Sequence, residues 1–490
     1  MSAVRTITTF VAATLVSLAL YLGLGINLTV ALVGATGLGF FVLVQPLVGL
    51  VITIFTNVLS PLLGSFDFSG VGLTLPRAVG ALTLGSWLVR LVWLRQRPVF
   101  TRQIIPLAFF LATVLLSVLT KPDLGQSMLG AYLLLVGLLF YVMISSLPTR
   151  PQELLLIVAV VWGVGLVSST IGLVQYAVPT LEVLQPTEGG LDVSEGAVVD
   201  EDSVSSGPIR RVTGGLGDAN QFAVTVVSVL PLGMFWWRYA PARPYRWLVI
   251  GVVLAQLVGM VLSYSRSGFI ALGAAILYFT WKRLISPKLL LSLALGAGIV
   301  SLVWLPPGFI ERMFSLSYLR QGSTNIRKDF LLDTIAITKE HWITGIGFGQ
   351  LGPELYGNPR SASATDIAAQ IDIESPEVHN TGAHNLILEV WVEYGIIGLI
   401  PYLLFLIVMM KEIQELSRAD DALSRDLATS LIACFVAFFV CGLFGHQKAL
   451  KVFWLLAGLS VCLRRFSSLA SQPVEEGPPA GAALQPVLNH

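Results

Sequence analysis

The sequence predicts an all-α, polytopic membrane protein with about 12–14 transmembrane helices and a large extracytoplasmic loop ahead of the C-terminal group of spans. Three observations predict this. Of the 490 residues, 55% are hydrophobic and 12% are charged, where an average soluble domain carries about 25% charged residues; the mean hydropathy is +0.78. The apolar residues gather in runs approaching the length that crosses a bilayer as a helix. Lys and Arg gather in alternate short connections, as they do in multi-spanning proteins. The net charge of +1 and the lack of a basic stripe give no reason to expect a nucleic-acid partner. Cys434, Cys441 and Cys462 lie inside apolar runs without disulfide or metal spacing and read as small packing residues.

The apolar runs are, in order, 6–22, 28–44, 46–63, 79–94, 104–119, 128–147, 154–178, 222–237, 247–262, 269–281, 289–305, 386–410, 427–444 and 452–463. Only Gln45 and Pro46 separate the second from the third, and the last is short, which sets the lower limit of the count. Arg5 precedes the first run and no small-residue cleavage site follows it, so this run reads as an uncleaved span. A cytoplasmic N-terminus places Arg95, Arg97, Arg102, Arg150, Arg238, Arg243, Arg246, Lys282, Arg283, Lys288, Lys411, Arg418, Arg425, Arg464 and Arg465 inside, which satisfies the positive-inside bias. The chain then divides into N-terminal membrane helices (1–178), an extracytoplasmic loop (179–220), central membrane helices (221–305), a large extracytoplasmic loop (306–385), C-terminal membrane helices (386–465) and a disordered cytoplasmic tail (466–490). The large loop contains one expected helix, 325–340. No internal repeat is visible, although many secondary transporters are built from repeats.

Some positive charge is left outside, against the orientation bias: Arg77, Arg210, Arg211, Arg266, Arg320, Arg327 and Lys328. An anionic ligand is one reason for it, because the planar guanidinium grips phosphate oxygens with two parallel hydrogen bonds. Arg266 lies in Ser263-Tyr264-Ser265-Arg266-Ser267-Gly268, a tight turn between two apolar runs. Such an arginine either faces a wet interior or snorkels to lipid headgroups. Arg327 opens the expected loop helix, which ends before Gly345-Ile346-Gly347-Phe348-Gly349. Those glycines either bring backbone amides close to a phosphate or form a tight turn. Arg210 and Arg211 precede Thr213-Gly214-Gly215-Leu216-Gly217-Asp218-Ala219-Asn220, where Asp218 and Asn220 also suit a helix cap.

The sharpest pattern is His384-Asn385, nine residues, then Gly395-x-x-Gly398. It sets an imidazole where a long polar segment meets a hydrophobic helix. His379-Asn380, five residues earlier, lacks the glycines at this offset, and His446 and His341 suit ordinary loop or packing positions.

These four elements, in this order across 210–398, resemble the O-antigen ligase and O-antigen polymerase superfamily. The first half of the chain is similar to it only as a string of membrane helices, and the acidic insert 182–202 falls outside the pattern. The resemblance implies a metal-independent membrane glycosyltransferase with no cofactor, embedded in the bacterial inner membrane with its active site facing the periplasm. Its partners are then an undecaprenyl-diphosphate-linked glycan and a lipid or glycan acceptor. His384 is the implied general base, since a neutral imidazole with a pKa of about 6.5 suits proton removal from a hydroxyl. Arg210, Arg211, Arg266 and Arg327 are the implied diphosphate ligands, supported by Asp218, Asn220, Asn385, Glu393, Gly395 and Gly398, with Glu393 either pairing with an arginine or polarising a neighbour. Ligase and repeat-unit polymerase stay open within the family. The alternatives are a protein O-oligosaccharyltransferase of the same superfamily and a non-enzymatic transporter of polysaccharide or lipid-linked glycan.

Overall fold

The computed structural model describes residues 37–58, 66–68, 71–73, 75–93, 95, 98–120, 124–178, 211–286, 288, 323–369, 381–445 and 450–470. The expected spans 6–22 and 289–305, the first part of 28–44, the insert 182–202 and the tail after 470 lie outside these residues, as do Arg210, Arg320, His379, Asn380 and His446.

Sixteen helices are described, consistent with the all-α polytopic membrane fold. They are α1 (Gly37–Val44), α2 (Pro46–Val58), α3 (Leu75–Trp93), α4 (Ile104–Thr120), α5 (Leu124–Ser146), α6 (Pro151–Ala177), α7 (Ala219–Val229), α8 (Leu232–Tyr239), α9 (Arg243–Leu262), α10 (Arg266–Trp281), α11 (Ser323–Glu340), α12 (Leu351–Gly357), α13 (Ala362–Ala368), α14 (Leu386–Leu416), α15 (Ala422–Gly442) and α16 (Lys451–Ala470). Five spans among the described residues are long and apolar enough to cross a membrane, and a sixth is counted if the bent pair α1–α2 forms one span. One small antiparallel hairpin, β1 (Phe66–Phe68) with β2 (Val71–Leu73), pairs Phe66 with Leu73 and was not visible in the hydropathy pattern.

Four expected elements differ in form. The run 222–237 is two helices, α7 and α8, parted at Leu230-Pro231, where proline lacks an amide for the helix ladder. The bend between α1 and α2 is 118°. The short last run extends to Lys451–Ala470, because charged and polar residues continue a helix whose buried positions fix it to α5 and α14. The described residues of the loop 306–385 hold three helices where one was expected: α11, which matches that expectation to within two residues, and α12 and α13.

Small residues let the helices approach closely, which is the main device for packing in lipid. Gly165 and Gly259 on α6 and α9 leave room for Gln256 and Ser169, and Gln256 Nε2 donates to the Trp162 carbonyl at 3.1 Å. Gly458 of α16 lies against the backbone of Tyr141 on α5.

The bundle has two distinct ends. At one, the basic connections meet: Arg238 pairs with Asp426 at 2.8 Å, Arg464 with Glu415 at 2.9 Å, and Arg465 donates to the Pro148 carbonyl at 2.9 Å. The buried Glu412 carboxylate accepts from the Arg102 amide and Gln103 Nε2, both at 3.0 Å, and so ties the start of α4 to α14. At the other end lie the start of α7, the α9–α10 turn, the start of α14 and the end of α15. Nearly all the singled-out polar motifs are there.

Candidate functional site

The site is built from three pieces. The first is the α9–α10 turn. Ser263 closes α9, Tyr264 takes a left-handed backbone (φ 52°), and α10 starts at Arg266. The half-buried Arg211 reaches into this turn: its Nε donates to the Ser263 carbonyl at 2.9 Å and its Nη2 to Asn220 Oδ1 at 2.8 Å. The same Asn220 oxygen accepts from Ser265 Oγ at 3.2 Å, and Ser265 Oγ lies 3.1 Å from Ser267 Oγ. Two motifs about fifty residues apart in sequence thus share one hydrogen-bond network. Asp218 is a helix cap, accepting from the Gln221 amide at 2.6 Å. Asn220, which the sequence also suited to capping, serves the arginine instead.

Sequence reading missed Gln175, at the end of α6. Its Oε1 accepts from the amides of Thr213 and Gly214 at 3.1 and 2.9 Å, and its Nε2 donates to Thr213 Oγ1 at 3.1 Å. That pins the segment carrying Arg211. The signal was available, since a buried amide near the end of an apolar run needs a partner.

The second piece is the head of α14. Asn385 caps it, its Oδ1 accepting from the amides of Ile387 and Leu388 at 3.1 and 3.0 Å. Such a cap is worth about 1 kcal/mol. His384, just before it, is half-buried and has φ 51°, in the left-handed region where histidine is found several-fold more often than most side chains. Ala383, on its other side, is buried in the core of α11–α13 with Phe330, Ile337, Leu355, Tyr356 and Val392. The backbone of His384 is thereby held between a helix cap and a packed subdomain.

That subdomain carries Arg327 one turn before Phe330 on α11. Its helices are joined by Ser361 donating to Asp333 at 2.6 Å and Ser363 to Asp329 at 2.5 Å. Arg360 makes two hydrogen bonds to the Glu340 carboxylate, each 2.8 Å, and these hold the Glu340 carboxyl below the usual glutamate range. Burial raises the Tyr356 hydroxyl above the usual tyrosine range. His341 was expected to pack on the loop helix; its side chain is exposed, and it closes α11 through its amide, bonded to the Ile337 carbonyl at 3.0 Å.

The third piece decides between the two uses open to the glycine loop. The glycine loop after α11 does not hold its amides open for a phosphate. Gly345 N donates to the His341 carbonyl at 2.8 Å, Ile346 N to Val392 at 2.8 Å and Gly347 N to Glu393 at 3.0 Å. Gly349 N donates to Glu393 Oε1 at 2.9 Å. In return, Ile396 N donates to the Trp342 carbonyl at 2.8 Å. The loop docks into a break in α14, where Gly395 has φ 62° and ψ −168°, a conformation open to glycine alone at little cost. A Cβ on Gly395 would strike the Ile343 carbonyl and come within 2.6 Å of the Thr344 amide. The fully buried Glu393 completes this joint. Gly398, one turn on, lets Tyr394 pack over it beside Thr113 of α4.

The end of α15 links the pieces. Asn385 Nδ2 donates to the Leu443 carbonyl at 3.5 Å, and Cys441 Sγ donates to the Ser267 carbonyl at 3.5 Å. The head of α14 and the Ser265–Arg266 turn are thus neighbours across Cys441 of α15 and its C-cap, Leu443. Among the described residues, no group of three or more His, Cys, Asp or Glu is placed to share a metal.

The fold and site define a class: a polytopic all-helical membrane protein with its polar machinery collected at one end of the bundle. Residues 251–403 match the family model described as O-antigen ligase, which supports the resemblance to the O-antigen ligase superfamily and, with it, a membrane glycosyltransferase-like ligase function on a lipid-linked glycan. The match takes in Arg266, Arg327, His384, Asn385, Glu393, Gly395 and Gly398, and it ends short of Arg210, Arg211, Asp218 and Asn220. A comparison with curated proteins gives no match.

Proposed function

We propose that the protein transfers a glycan from undecaprenyl diphosphate to a hydroxyl acceptor at the periplasmic face of the bacterial inner membrane, as an O-antigen ligase or repeat-unit polymerase. The observation that carries this reading is the meeting, across the end of α15, of the Arg211–Asn220–Ser265 network with the His384–Asn385 helix head. A base and a set of arginines at one end of a membrane bundle suit a substrate with a lipid diphosphate at the surface and a sugar above it.

In this mechanism the acceptor hydroxyl attacks the anomeric carbon of the donor while His384 takes its proton. A new carbon–oxygen bond forms, the bond from that carbon to the diphosphate oxygen breaks, and the electron pair leaves with the lipid diphosphate. Arg266, Arg327, Arg211 and Arg210 stabilise the charge growing on that oxygen, with no metal in the step. Asn385 positions the base by fixing the start of α14. Glu393, Gly395 and Gly398 hold the α14 break on which that start depends. The basic connections at the opposite end of the bundle support the extracytoplasmic placement of 179–220 and 306–385.

The test is direct. Purified protein in vesicles receives an undecaprenyl-diphosphate-linked glycan and a candidate hydroxyl acceptor. Glycan on the acceptor, with matching release of undecaprenyl diphosphate and no change on adding a chelator, is the expected result. Movement of intact lipid-linked glycan without bond cleavage, or activity lost to the chelator and restored by a divalent cation, would overturn the reading.

A further inference from the structure

An apolar trough of about 530 Å³ runs along the membrane face between α10, α14 and α15, within the size range of ligand-sized cavities, about 300–1,000 Å³. Near the His384 end its walls are Ile387 and Leu443, and along its length Leu406 and Phe439. At the opposite end the lining changes chemistry to Lys282, Lys411 and Gln414. The Lys282 ammonium lies over the Trp281 ring, 5.1 Å from its centroid, an aromatic–cation pairing suited to the headgroup layer.

The nearby carboxylates do not neutralise this mouth. Glu412 is turned inward to Arg102 and Gln103, and Glu415 pairs with Arg464 at 2.9 Å. Two ammonium groups and an amide therefore flank the polar end of a hydrocarbon-lined slot.

We propose that this trough is a binding site for an anionic phospholipid, with the phosphate held by Lys282, Lys411 and Gln414 and one acyl chain lying along the slot toward Leu443. The distribution of charge selects this occupant. A polyprenyl chain reaching down from the His384 end would present only hydrocarbon to the two lysines. A phospholipid of the leaflet at the lysine end presents a phosphate there. The site is separate from the transfer chemistry, and on the orientation given above it draws from the cytoplasmic leaflet.

The full-length protein, purified in mild detergent, is titrated with phosphatidylglycerol or with phosphatidylcholine of the same acyl chains, and retained lipids are counted by native mass spectrometry. The expected result is one tightly retained phosphatidylglycerol, preferred over phosphatidylcholine. The preference should fall about fivefold for each lysine removed, in Lys282→Gln, Lys411→Gln and their combination, and should persist in Lys411→Arg. If the double variant does not purify as a single species, Lys411→Gln alone serves, since this side chain is exposed and makes no hydrogen bond or ion pair among the described residues. Equal retention of the two lipids by the unaltered protein would overturn the proposal, as would a preference unchanged in Lys411→Gln. Displacement of phosphatidylglycerol by undecaprenyl diphosphate at equal concentration would also overturn it and assign the trough to the donor.

Discussion

The 263–267 turn and the 345–349 loop sit at the same end of the bundle, and as sequence both resembled places where a ligand is held. They are built in opposite ways. The first is a junction of side chains: one arginine, one asparagine and two serine hydroxyls share hydrogen bonds around the start of α10. The second is a junction of backbones, with the amides of Gly345, Ile346, Gly347 and Gly349 all taken up, three of them by α14 or its Glu393 side chain. The difference teaches what each motif is for. Glycines in the second are there because two main chains lie in contact, whereas polar side chains in the first keep chemistry that can face a substrate. Changes in the glycine loop should therefore act through stability, and changes around the turn through transfer.

The largest effect expected is at the residue between these regions. His384→Asn keeps a side chain that tolerates φ near 51° while removing the proposed base. Transfer should fall by about 10²- to 10⁴-fold with thermal unfolding unchanged; a variant retaining more than a tenth of the rate would remove His384 from the chemistry.

Gly395→Ala should break the second junction outright. The strained φ and the collision with the Ile343 carbonyl together predict a loss of about 3 kcal/mol or failure to fold, read as a lowered unfolding temperature in detergent. Gly357→Ala is the control, since a Cβ there meets nothing within 4 Å, and it should lie within about 0.5 kcal/mol of the unaltered protein. Equal stability of the two variants would mean that the loop does not dock on α14 as described.

For the first junction the contrast is non-additivity. Arg211→Lys loses the fork that spans Ser263 and Asn220, and Asn220→Ala loses its acceptor. Each should lower transfer by about ten- to a hundredfold, in line with about 1.5–3 kcal/mol for a charged hydrogen bond, and the double variant should be no worse than the poorer single. Effects that simply multiply would show that the two side chains act apart.

The smallest effect is a pH response of the α11–α13 subdomain. The Arg360 hydrogen bonds lower the Glu340 pKa in the folded protein, so their contribution is fully present above the ordinary glutamate value of about 4.3. It is lost as pH falls through the lowered folded value. Hydrogen exchange in α11 and α13 should quicken slightly on acidification below that range. Glu340→Gln should show no such step, and an identical step in the variant would assign the response to another carboxylate.

Much of the fold was legible because membrane helices announce themselves by length, apolarity and flanking charge. The runs 104–119, 154–178, 247–262, 386–410 and 427–444 return as α4, α6, α9, α14 and α15, since a polar backbone in hydrocarbon must close its own hydrogen bonds and a helix does so locally. The candidate site was legible as residue types in order: the turn at Arg266, the helix beginning near Arg327, and His384 beside the cap of α14. Sequence could not say that Asn220 would turn from capping to Arg211, that Gln175 would hold Thr213, or that the glycine loop would enter the break at Gly395. Those outcomes depend on contacts between segments tens of residues apart, where a single hydrogen bond or main-chain approach decides between two locally acceptable uses of the same residue. Composition and periodicity determined that this chain crosses a membrane as helices and gathers polar groups at their ends; only the packing of α7, α9, α10, α14 and α15 decided which of those groups meet, because lipid-facing helices are positioned by side-chain fit to one another and not by their own hydrophobicity.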